Sequence, residues 1–303
     1  MALLGNEIIK NGVEYVEFVS GDIAIMICSI CNAMCKHCYI KYDNNIDPDV
    51  LYDLLEEWKE RYDIVLNGTE PILNSKYFKS FQLIGQKMLQ TNGLFIYEHP
   101  DVLNQLLMYG INELSISYHF QAHELISTID DNIVKNSIAL AVNNGFKVSI
   151  NCTVTPLNYN EVIDNCNTSI KMGVNRIHFT NYLPTGKNNT LDRTSCLSKK
   201  QKKVFFEQLN KARNIFNKDA LYVSRCGTFE KDTYTSKDNF YCEPYRWGFA
   251  ISPDKKVYPC IFMVGDCEEE VGFVHEKKIY IKKNLKADFC DKCLVAQKYI
   301  YNL

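Results

Sequence analysis

Ile30-Cys31-Asn32-Ala33-Met34-Cys35-Lys36-His37-Cys38-Tyr39 is a C-x3-C-x2-C run placed directly after an apolar, strand-like segment, Ile23 to Cys28. Three thiolates on one tight loop can hold three irons of a [4Fe-4S] cluster and leave the fourth iron open. A cluster with four protein ligands mostly moves electrons, whereas a vacant corner can bind a small molecule and act on it. Structural zinc is the rival reading. Zinc sites favour paired C-x2-C units that close a tetrahedron, and the only further ligands nearby are Cys28 and His37.

Outward from this loop, strand-like and helix-like segments alternate. Before it, Glu7-Ile8-Ile9 and Val13 to Val19 flank Asn11-Gly12, a strong hairpin signal, so residues 1–20 are expected to form a β-ribbon. After it, Asp47 as N-cap and Pro48 at the first helical position start a helix over Pro48–Tyr62, followed by a strand at Asp63–Leu66. The pattern predicts helices near Ser75–Gln90, Asp101–Tyr109, Asp130–Asn144 and Glu161–Met172, and strands at Leu94–Tyr97, Glu113–Tyr118, Lys147–Val154 and Arg176–Thr180. Six βα units imply an α/β fold, a parallel sheet curled into a partial, open (β/α)6 barrel. A helix at Ser198–Asn217 and a strand at Ala220–Ser224 complete a barrel domain over 21–230, and Lys231–Asn239 reads as a linker to a small C-terminal domain at 240–303. In such sheets reactive groups sit at the carboxyl ends of the strands.

The 303 residues, 46% hydrophobic and 12% aromatic, suffice for such cores. A formal charge of −2 without blocks of like charge gives no general attraction to nucleic acid or anionic membranes. Met1 to Ser20 lacks the basic start and apolar stretch of a signal peptide, and no apolar run approaches the ~20 residues needed to span a bilayer. A cytoplasmic protein is therefore expected, one in which thirteen cysteines point to metal ligation before disulfides.

The cysteine loop, with His37 before the third cysteine and Tyr39 after it, resembles the signature of the radical S-adenosylmethionine (radical SAM) superfamily. The resemblance implies that Cys31, Cys35 and Cys38 hold a cluster whose open iron chelates S-adenosylmethionine. One electron then breaks the sulfonium bond to give methionine and a 5′-deoxyadenosyl radical. Asn67-Gly68-Thr69-Glu70-Pro71 is similar to the family's Gly-Gly-Glu-Pro motif for the amino group of the cofactor, with Thr69 where the second Gly should be. Glu70 remains able to accept from an ammonium, and the bland reading is an Asn-Gly turn with a solvated Glu. The family uses the next strand ends for the ribose and carboxylate, which makes Ser117 and Asn151 candidate contacts, ahead of Tyr118, His119 and Thr153. Alternation along a strand also puts such residues on outward faces by chance. Thr91-Asn92-Gly93 likewise looks like the family, and a Gly turn explains it equally well.

A second cysteine set follows: Cys242, Cys260 after seventeen residues, then Cys290-Asp-Lys-Cys293. Trp247–Ser252 and Lys256–Tyr258 flank Pro253-Asp254-Lys255, a hairpin that would bring the first two together. This arrangement is similar to the twitch domain, the shortened SPASM form, which implies an auxiliary [4Fe-4S] cluster on four thiolates. A zinc ribbon is the rival, and Cys267 is placed to displace one ligand.

Cys28, Cys152, Cys166 and Cys196 default to buried small hydrophobes. Cys226 in Arg225-Cys226-Gly227 follows the last barrel strand, where a thiol can donate hydrogen to a substrate radical, and the bland alternative is packing. The resemblance implies a peptide-modifying enzyme acting on a ribosomally made precursor, with Cα epimerisation through Cys226 or a cross-link as the outcome. The short segment ahead of the barrel argues against a separate leader-binding domain. Oxidation or rearrangement of a small metabolite such as an amino sugar is the alternative, and a non-catalytic redox sensor is a third. A flavodoxin or ferredoxin is the expected electron donor.

Overall fold

The computed structural model describes residues 4–187, 189–191, 193–216, 220–225, 248–285 and Val295. Cys226, Cys242, Cys290, Cys293 and the proposed linker lie outside the described residues.

The chain opens with the ribbon β1 (Leu4–Lys10) and β2 (Val13–Phe18), antiparallel and joined at Asn11-Gly12, and continues into β3 (Gly21–Met26). Helix α1 (Pro48–Trp58) begins where Asp47 accepts from the amides of Asp49 and Val50, which satisfies two donors that no helical turn precedes. It returns the chain to β4 (Tyr62–Asn67), parallel to β3. Helix α2 (Phe78–Leu83), strand β5 (Met88–Thr91) and helices α3 (Leu94–Glu98) and α4 (Val102–Met108) lead to β6 (Glu113–Ser117). Then follow α5 (His123–Ile126), α6 (Asp131–Asn143), β7 (Lys147–Val154), α7 (Val162–Lys171), β8 (Arg176–Asn181), α8 (Lys199–Ile215) and β9 (Tyr222–Arg225). Helix α8 starts on a capping box in which Ser198 and Gln201 satisfy each other's backbone amides.

Strands β5 to β9 form a five-stranded parallel sheet in sequence order, and β3 and β4 lie at one end of a second sheet. The Gln86 carboxamide bridges the two. Its Oε1 accepts from the Leu66 amide at 2.7 Å, while its Nε2 donates to the carbonyls of Leu66 at 3.0 Å and Met88 at 2.9 Å, as a peptide group of a paired strand would.

One expectation is overturned. Leu94–Tyr97 is helix α3, and the third barrel strand is Met88–Thr91. A run of four apolar residues fits either period, and packing decides: Leu89 and Thr91 alternate into the core while Ile96 buries one helical face and Pro100 ends the turn. Thr91-Asn92-Gly93 therefore stands at the carboxyl end of a strand rather than before one.

The predicted C-terminal hairpin is present as β10 (Gly248–Ile251) and β11 (Lys256–Tyr258). Strand β10 pairs in parallel with β3, so the hairpin extends the barrel's own sheet. Strands β12 (Gly272–His275) and β13 (Lys278–Lys282) continue it to β2, giving the order β1-β2-β13-β12-β11-β10-β3-β4. Ribbon and C-terminal strands thus form one antiparallel layer grown from β3. Phe18 fixes the join, fully buried against Tyr62 and edge-on to Phe249 at 5.0 Å, a burial worth about 2 kcal/mol. Trp58 Nε1 also donates to the Lys277 carbonyl at 2.6 Å.

Candidate active site

Past β3 the backbone leaves the sheet, and its polar groups need partners elsewhere. The Cys28 carbonyl accepts from the Thr69 amide at 3.0 Å, the Thr69 hydroxyl at 3.1 Å and the Tyr42 phenol at 3.2 Å. Asn45 Oδ1 accepts from the amides of Ser29 and Ile30. The amides of Met34 and Lys36 donate to the Thr128 hydroxyl at 3.0 Å and the Ile126 carbonyl at 2.9 Å. From the other side, the Lys187 amide donates to Ile40 and that of Thr190 to Lys36. Gly186 sits so close that a Cβ there would stand 2.1 Å from the Cys38 carbonyl oxygen, and its φ of +110° also excludes ordinary side chains. An irregular loop is held as firmly as a strand.

On this loop Cys31, Cys35, Cys38 and Tyr39 line one cavity of about 330 Å³, within the range of small-ligand sites. Among the described residues no three His, Cys, Asp or Glu side chains stand at the spacing a single ion needs. Burial pushes the Cys31 thiol up to about 12 and the Cys38 thiol upward, so metal binding there must displace protons. Cys28 is buried with its Sγ 2.7 Å from where a Gly68 Cβ would lie, and His37 Nδ1 donates to the Ile126 carbonyl at 2.9 Å. The His37 ring meets His119 edge-on at 4.6 Å, and burial lowers the pKa of both, keeping them neutral. His119 Nδ1 accepts from the Thr153 amide, which leaves the proton on Nε2.

Gly68 and Thr69, after β4, line the same cavity. Glu70, the candidate acceptor for the ligand's ammonium, is not among the residues that line it. Its side chain is 1% exposed, with one oxygen accepting from the Thr91 hydroxyl and the other from the Asn92 amide at 2.7 Å. Burial dominates its titration and raises its pKa to about 8 against the effect of those two donors. The carboxyl thus ties the end of β4 to the end of β5.

On the opposite wall the residues sit on strands. The register pairs Ser117 with Asn151, Asn151 with His178 and His178 with Ser224, so one polar row crosses β6, β7, β8 and β9. Ser117, Asn151 and His178 all line the cavity. His178 Nδ1 lies 2.9 Å from the Ser224 hydroxyl, which accepts from Arg176 Nε at 3.1 Å. Burial, with the Arg176 charge second, pushes His178 down to about 4, so its imidazole is neutral at physiological pH. Sequence reasoning passed over His178. The signal was the polar alternation Arg176, His178, Thr180 on β8.

Cys260 precedes a short turn, Ile261–Met263, whose Ile261 and Phe262 reach the cavity, and the Phe262 ring meets Tyr39 at 4.8 Å. Cys267 is exposed. The C-terminal segment therefore helps to shape the site.

No protein-family model matches the sequence, and no curated protein matches it. Solved structures do. Streptococcus suis SuiB bound to precursor peptide SuiA is similar over 82% of this chain and 61% of that one, at 15% identity and a TM-score of 0.63. The same protein bound to S-adenosylmethionine matches over 82% and 60%, at 15% identity and a TM-score of 0.60. The anSMEcpe structure with bound AdoMet and Cp18Cys peptide matches over 92% and 82%, at 18% identity and a TM-score of 0.61. The chain spans about three fifths of the length of these two SuiB chains. The chain shares the fold of SuiB and anSMEcpe.

Proposed function

We propose that the protein is a radical SAM enzyme that modifies a ribosomally made peptide. The observation that carries this reading is that Cys31, Cys35 and Cys38 face one cavity together with Gly68, Thr69, Ser117 and Asn151, at the carboxyl ends of parallel strands. Three thiols on one loop suit a [4Fe-4S] cluster with one open iron. When bound, such a cluster supplies the electron for cleaving S-adenosylmethionine to methionine and a 5′-deoxyadenosyl radical.

The chain's residues bind and orient. The turn at Gly68 and Thr69 receives the cofactor's amino group through its backbone, and Ser117 and Asn151 receive ribose and carboxylate. Neutral His178 presents a hydrogen-bonding group to substrate on the far side of the row, while Tyr39 and Phe262 narrow the mouth and exclude water. A peptide substrate is supported by the peptides bound in SuiB and anSMEcpe. Epimerisation is the finer reading: the 5′-deoxyadenosyl radical would take hydrogen from one face of a peptide Cα, and Cys226 would give hydrogen to the other, leaving a D residue and a thiyl radical that one electron from the reductant and one proton restore to the thiol. Cys242, Cys260, Cys290 and Cys293 are proposed to hold an auxiliary [4Fe-4S] cluster, with a flavodoxin or ferredoxin as reductant.

Anaerobic reconstitution followed by iron and sulfide analysis tests the metal content. About eight irons are expected, falling to about four in the Cys31/Cys35/Cys38→Ala variant. About four falling to none, with zinc present, would convert the C-terminal set to a structural zinc site. For epimerisation, Cys226→Ala is expected to stop formation of the D residue while cofactor cleavage continues, and unchanged peptide turnover would refute the hydrogen-donor role.

A further inference from the structure

We infer that Asn92 is a positioning residue for the three-cysteine loop, donating a hydrogen bond to the sulfur of Cys31 and thereby raising the reduction potential of the cluster that sulfur holds. The inference rests on the iron–sulfur reading above. Asn92 Nδ2 donates to Asn32 Oδ1 at 2.8 Å and lies 3.6 Å from Cys31 Sγ, so one amide group meets the loop at two neighbouring side chains.

The carboxamide is fixed in that sense. Its Oδ1 accepts from the Leu94 amide at 2.9 Å, which turns the NH2 end toward the loop. Its backbone is fixed as well, because the Asn92 amide donates to Glu70 Oε2 at 2.7 Å. Glu70 is in turn held by the Thr91 hydroxyl, and that hydroxyl accepts from the Gly93 amide at 3.1 Å. A buried carboxyl, two strand ends and the loop thus form one chain of hydrogen bonds from β4 to Cys31.

An N–H donor directed at a cysteine sulfur stabilises negative charge on it, and a reduced cluster carries more negative charge than an oxidised one. Hydrogen bonds to the sulfurs are among the factors that set such potentials. Removing the donor is therefore expected to make the cluster harder to reduce without removing a ligand.

The test uses the full chain, reconstituted anaerobically, as parent, Asn92→Ala, Asn92→Asp and Glu70→Gln. Iron is counted, and the midpoint potential of the cluster whose electron paramagnetic resonance signal changes on adding S-adenosylmethionine is titrated. Both Asn92 variants are expected to keep the parent's iron and to shift to more negative potential. Asp should shift further, because a carboxylate then stands where the donor was. Glu70→Gln keeps an acceptor for the Asn92 amide and is expected to stay close to the parent. Unchanged potentials in both Asn92 variants would overturn the inference. So would loss of the loop's iron in both, which would make Asn92 a purely structural residue. A parent that binds no iron at the loop would refute the iron–sulfur reading itself, and this inference with it.

Discussion

The two walls of the cavity are built on different plans. On the first, over β3, β4 and β5, most of the candidate groups lie beyond the strand ends, on the cysteine loop, the Gly68–Thr69 turn and Asn92. On the second, over β6 to β8, they lie on the strands themselves, as the row Ser117, Asn151 and His178, which Ser224 on β9 continues. A loop can follow the shape of a cluster, but needs many tethers to stay in place. A strand residue inherits its place from the ladder and needs few. Damage to a tether should therefore cost the first wall much more than a side-chain truncation costs the second.

The largest effect is expected at Gly186. Alanine there meets the Cys38 carbonyl oxygen at 2.1 Å with an unfavourable φ, so Gly186→Ala should lose about 4 kcal/mol in urea unfolding and reduce iron uptake. A variant as stable as the parent would mean that the loop is not clamped.

Next comes Glu70. Its carboxyl keeps its proton in the folded chain to about pH 8, against about 4.5 unfolded, so the folded state loses stability as pH rises between those values and no further above them. Between pH 5.5 and 8 the parent should lose up to about 3 kcal/mol relative to Glu70→Gln, since each unit is worth about 1.4 kcal/mol. Parallel stability profiles for the two proteins would show that Glu70 is ionised in the fold.

Gln86→Ala removes three hydrogen bonds at the seam between the sheets, two of them across it, and should cost about 2 kcal/mol, read from urea midpoints. A loss under about 0.5 kcal/mol would show the seam to be closed by packing alone. On the strand wall, Asn151→Ala should weaken binding of S-adenosylmethionine about tenfold by calorimetry, roughly 1.4 kcal/mol. His178→Ala should leave it within about twofold, and equal losses in both would merge the two parts of the row.

The same contrast explains what the sequence made legible. The cysteine loop and the turn after β4 are marked by spacing and rare residue types, which survive without knowledge of the fold. The row on the strands is marked only by alternation, which surface residues share, so Ser117 and Asn151 were singled out through family likeness and His178, which lines the same cavity, was not. Barrel strands and helices were readable where caps or long periods marked them, as at Asp47 and Ser198. Leu94–Tyr97 was misread because four apolar residues carry no period of their own. Nor was the parallel pairing of β10 with β3 visible, since the partners lie more than two hundred residues apart and nothing local encodes the match.

The most direct test of the account is to incubate the anaerobically reconstituted protein with dithionite and S-adenosylmethionine and to quantify 5′-deoxyadenosine. Formation by the parent and none by the Cys31/Cys35/Cys38→Ala variant is the predicted result. A parent that holds its full iron and yields none would contradict radical chemistry at this site and leave the non-catalytic reading in its place.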